Sequence, residues 1–167
     1  MNRRQFLRNA AGIASLGAIG VAGKMLAPES FTADKKVQKA VAETNSNIQT
    51  FTQIADEWKP LAEDIISRYP LEKSTGKVSF KGVGAYYKNF SEIRQALNDV
   101  LYFTYQFEKY QKEFAAALAE MDKEKTLMLH GEMQKNLDSL QEYVLHASRV
   151  PGMNDFIAEH LEGQRSA

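Results

Sequence analysis

From Val37 to Tyr69, apolar and small residues recur at intervals that alternate between four and three: Val37, Val41, Thr44, Ile48, Phe51, Ala55, Trp58, Ala62, Ile65 and Tyr69. That spacing is a heptad seam, which keeps one face of an α-helix turned toward a neighbour. Ile54, Leu61 and Ile66 widen the seam into a stripe broad enough to face a core. Asp34 or Thr32 is placed to cap the start. Pro60 has no N–H for residue 56, so the pattern predicts a kink or restart near Asp56–Lys59. Pro70 biases residue 69 away from helical dihedrals and ends the element.

A second seam of the same alternation begins after Ser91 and Glu92: Ile93, Leu97, Val100, Thr104, Phe107, Gln111, Phe114, Leu118 and Met121. Leu101, Tyr102, Phe103, Tyr105 and Tyr110 broaden its apolar side, so the first half is expected to be buried nearly all round. Asp122-Lys123-Glu124-Lys125 breaks the register and predicts a tight reversal capped by Asp122. A third pattern runs through His130, Met133, Leu137, Leu140, Val144 and Ala147 until Val150-Pro151-Gly152 stops it. A short amphipathic piece with Phe156, Ile157 and Leu161 on one side closes before Gly163.

These elements predict an all-α, antiparallel helical bundle of three long helices plus a short C-terminal helix. Residues 28–163 form its single domain, and residues 164–167 a polar tail. The stretch at about 70–90 reads as a long loop, with Lys73, Lys77, Lys81 and Lys88 against Glu72 alone and with Tyr86, Tyr87 and Phe90 as aromatic surface.

The N-terminal stretch follows another pattern. Asn2-Arg3-Arg4-Gln5-Phe6-Leu7-Arg8 precedes an uncharged run of small and apolar residues from Ala10 to Gly23, which is the layout of a signal peptide. The motif closely resembles the twin-arginine (Tat) signal, carried by Arg3, Arg4, Phe6 and Leu7; Asn2 and Arg8 depart from that family's usual residues. Gly12, Gly17 and Gly20 dilute the apolar run, and Lys24 follows it, as in Tat leaders. The resemblance covers residues 1–27. It implies recognition by the twin-arginine translocase and export, already folded, to the periplasm or beyond. Residues 10–27 number 18, close to the length needed to cross a bilayer. The alternatives are a general secretory signal in which the Arg3-Arg4 pair is chance and a membrane anchor formed by an uncleaved leader, the only membrane contact expected.

Composition narrows the partners. The chain of 167 residues has 21 basic and 21 acidic side chains, but Arg3, Arg4, Arg8 and Lys24 all lie in the leader, which holds no acid. Without those four, 17 basic residues face 21 acidic ones, a net charge of −4 that argues against nucleic acid as a partner. The absence of cysteine excludes disulfides, cysteine-ligated zinc, iron–sulfur clusters and covalently attached c-type haem.

Few residues invite chemistry. His130 with Met133 one turn on is a pair that haem b or copper uses in a helical bundle, whereas a hydrogen-bonded core histidine beside adaptable methionines is the structural alternative. Asp138, Glu142 and His146 share one helical face, either as half a metal site or as a solvated ladder ending at Arg149. The Glu-x-x-His spacing of di-iron bundles fails, because Leu127, Tyr143 and Ile157 stand three residues before the histidines. Ser74-Thr75-Gly76-Lys77 lacks the first glycine of a phosphate loop and has Val78 in place of the hydroxyl. No catalytic residue and no complete metal-ligand set is assigned, and the expectation is a cofactor-free protein rather than an enzyme. The expected function is that of an accessory or small subunit of a larger exported complex, with a protein partner or a second copy of itself. A haem- or copper-carrying bundle built on His130 and the methionines is the alternative.

Overall fold

The computed structural model describes Phe31, residues 34–69 and residues 90–165, with side chains as far as Glu162. The leader motif, Thr32, the 70–89 stretch with its lysines, tyrosines and Ser74–Lys77, and the last two residues lie outside the described residues. Among those described, the architecture is all-helical: α1 (Lys35–Arg68), α2 (Phe90–Ala119), α3 (Lys123–Arg149) and α4 (Met153–Arg165).

Contacts across the bundle fix its direction. Lys123 pairs with Asp34 at 2.5 Å, Thr44 bonds His130, and Asn47 bonds Gln134, so residue numbers rise together and α1 and α3 run parallel. Lys59 meets Glu108 while Glu63 meets Tyr105, so α2 runs antiparallel to α1. The result is an up-down-up body of three long helices. α4 turns back against the end of α1, where Phe156 lies beside Tyr69 and His160 meets Asp64.

The heptad seams supply the core. Val37, Thr44, Ile48, Phe51, Ala55, Trp58, Ala62 and Ile65 of α1 are all buried, facing Ile93, Leu97, Val100, Phe107, Phe114 and Leu118 of α2. Met133, Leu137, Leu140 and Ala147 of α3 complete the interior. Phe51 and Phe107 stack near its middle, with ring centroids 4.1 Å apart and planes 13° from parallel.

Local chemistry sets the ends. Asp34 caps α1 by accepting from the N–H groups of Lys36 (2.8 Å) and Val37 (3.4 Å). Tyr69, at φ −122° and ψ 67°, leaves the helix ahead of Pro70 as expected. The reversal between α2 and α3 is a Schellman turn, in which the Asp122 N–H bonds the Ala117 carbonyl (2.9 Å) and the Met121 N–H bonds that of Leu118 (3.2 Å). Asp122 then caps α3 through the Lys125 N–H at 3.0 Å. One aspartate therefore ends one helix and starts the next. Gly152, at φ 81°, supplies the left-handed residue that turns the chain into α4.

Five expectations need correction. Phe90, expected as aromatic surface of the loop, is the first residue of α2 and is fully buried, packed edge-on against Tyr69 and Phe156. α1 does not restart at Asp56–Lys59, because Pro60 sits inside one continuous helix. Buried residues on either side, Trp58 and Ala62, hold the helix in place across the missing bond. The first half of α2 is not buried all round, since Tyr102 is 56% exposed and Tyr105 47% exposed. α1 and α3 cover only two sides of α2 and leave the third to solvent. Met121, expected as the last seam residue, is 54% exposed because its left-handed conformation in the turn (φ 54°) swings it outward. Finally, helical backbone in α4 continues past Gly163 to Arg165.

Two stability measurements check this description. Met121→Gly removes the steric cost of a left-handed side-chain-bearing residue and sacrifices no burial, so urea unfolding should show a gain of about 0.5–1 kcal/mol. Phe107→Ala should cost about 3–5 kcal/mol by cavity formation and loss of the stack; a loss below ~1 kcal/mol would contradict a core centred on that residue.

Candidate functional site

The parallel seam between α1 and α3 carries a line of polar contacts. His130 lies at its edge, with Nδ1 3.0 Å from Thr44 Oγ1 and Nε2 3.2 Å from Glu43 Oε2. Farther along, Asn47 Nδ2 donates to Gln134 Oε1 and Gln134 Nε2 donates to Asp138 Oδ1, each at 2.8 Å. A histidine between a carboxylate and a hydroxyl is the arrangement that activates a nucleophile: with Nε2–H donating to Glu43, Nδ1 accepts the hydroxyl proton. Thr44, however, is 0% exposed. No substrate reaches that hydroxyl in this packing, and the contact instead satisfies a threonine buried in an apolar seam.

The same geometry bears on His130 and Met133 as ligands. Both ring nitrogens of His130 already face protein partners on α1, and Met133 is fully buried in the core. Among the described residues, no group of three or more histidine, aspartate or glutamate side chains is arranged to hold a metal ion. Asp138, Glu142 and His146 all lie exposed on the outside of α3. Asp138 takes its hydrogen bond from Gln134 rather than joining the other two around a common point.

The histidine that sequence reasoning passed over is His160. It is only 6% exposed, and its Nε2 lies 2.5 Å from Asp64 Oδ2. Asp64 Oδ1 also accepts from Arg68 Nε at 2.9 Å. The rings of Phe156 and Tyr69 flank the imidazole at 6.1 Å and 6.4 Å between centroids. Burial pushes the Asp64 carboxyl up, but the hydrogen bonds from Arg68 and His160 outweigh it and hold the group below its ordinary value. The signal was present in the spacing. His160 follows Phe156 by four residues and Ile157 by three, which puts it on the buried face of α4. Nearby, Arg94 Nε donates to the Tyr69 carbonyl at 2.8 Å and so closes the end of α1.

The third feature is an aromatic face on the outside of α2 and α3. Phe103 and Tyr143 stack at 4.8 Å with planes 26° apart, and Tyr102 packs edge-on against Phe103 at 5.1 Å. Tyr102 and Tyr143 are exposed, and Phe103 is half-buried against the core. Tyr105 belongs to a separate contact, between α1 and α2. Its hydroxyl donates to Glu63 Oε1 at 2.7 Å, and Lys59 Nζ lies 5.1 Å from its ring centre while bonding Glu108 at 2.6 Å. The hydrogen bond to Glu63, with burial and the charges of Glu63 and Glu108, pushes the Tyr105 phenol up to about 12. Of the aromatic cluster on α2, Phe107 and Phe114 are core, Tyr102 and Phe103 form the outer face, and Tyr105 joins two helices.

The Asp64–His160 contact has a definite pH signature. A carboxyl depressed by folding adds stability above its unfolded value of ~3.9, and that contribution is lost as pH falls through the lower folded value. Asp64→Asn should therefore be less stable than the parent in urea at pH 7, and the gap should narrow steadily below about pH 4. A gap that stays constant down to about pH 2 would show that the charge on Asp64 contributes nothing. No protein-family model, curated protein or solved structure matches the chain.

Proposed function

We propose that this chain is an exported helical protein that acts without a catalytic centre of its own, as an accessory or small subunit of a larger exported assembly. Twin-arginine recognition through Arg3, Arg4, Phe6 and Leu7 would deliver it folded to the periplasm. The observation that carries the subunit reading is the aromatic trio Tyr102, Phe103 and Tyr143, in which two exposed tyrosines pack on a half-buried phenylalanine. Tyrosine is enriched where proteins meet, since it offers broad apolar area at little entropic cost together with a polar tip. The trio lies on the outside of the bundle, across two helices whose apolar seams are already buried within the chain. No helix among the described residues is long and apolar enough to cross a membrane.

Two experiments test the two halves of this reading. Residues 1–27 fused to a folded reporter should direct its export, and replacing both Arg3 and Arg4 with lysine should reduce the exported amount at least tenfold. Undiminished export of the paired-lysine variant would overturn the Tat assignment. For the subunit role, the mature protein in the exported fraction of its native host should elute in a complex well above its own mass of under 18.8 kDa. Replacing Tyr102 and Tyr143 with glutamate should return it to monomer size, at a cost of about 1–3 kcal/mol from the two lost aromatic pairs. Elution of the unaltered protein as a monomer at native concentration would remove the case for a subunit.

A further inference from the structure

We draw no further inference here: the strongest candidate, the exposed Tyr102–Phe103–Tyr143 patch on the outer face of α2 and α3, belongs to the site already described, and nothing in the structure shows what covers it.

Discussion

A helix as long as α1 hides its apolar stripe only if something covers it from end to end. At ~1.5 Å per residue, its 34 residues extend about 50 Å, and the 13 of α4 extend only about 20 Å. The short helix cannot do the covering, so α2 and α3 must. Their parallel and antiparallel placement follows from that requirement. The tight turn at Asp122 makes α3 antiparallel to α2, and packing both on α1 then sets α3 parallel to α1. Everything else on the molecule, including which tyrosines are exposed, depends on how these three stripes close on one another.

Closing them leaves polar side chains to be accommodated, and the bundle does so at its helix–helix edges. Thr44 is buried and bonds His130; Thr104 is buried and bonds its own helix through the Val100 carbonyl at 2.8 Å. His160 is buried and bonds Asp64. The Thr44–His130 and Asp64–His160 contacts join residues far apart in sequence and fix the relative sliding of helices that the apolar seams alone leave loosely specified. A net stabilisation of about 1 kcal/mol per bond is modest, but leaving either partner unpaired would cost more. Asn136 is the exception: it is buried on α3, and no described protein group donates to its Oδ1.

The features that could be read from sequence are those in which local chemistry and global packing agree. Asp34 and Asp122 cap because a short carboxylate ahead of a helix reaches free N–H groups whatever the tertiary fold. The seam of α1 was legible because four-three spacing admits one buried face, and Pro60 did not break it because Trp58 and Ala62 are anchored on both sides. Tyr102 and Phe103 show where legibility ends. Both are aromatic neighbours on the same helix, yet one is half-buried and the other exposed, and only the angular positions of α1 and α3 decide which. The partners of His130 lie 86 and 87 residues away in sequence, and that of His160 lies 96 away, so no local pattern could have named them.

Separation in sequence also bears on why such a chain would travel folded. α2 and α3 are joined by a turn of three residues, Glu120 to Asp122, whose closure is fast and entropically cheap. α1 can then dock onto a hairpin already formed, and helical bundles built this way belong to the quickly folding classes. A protein that folds before a threading translocase engages it has a reason to use a folded-export route even when it carries no cofactor. The leader resembling Tat and the helical body are therefore mutually consistent on physical grounds, independent of any ligand at His130. Rapid folding alone is sufficient motive for such a route, so the route by itself implies no partner, and the proposed subunit role rests on the aromatic face of α2 and α3.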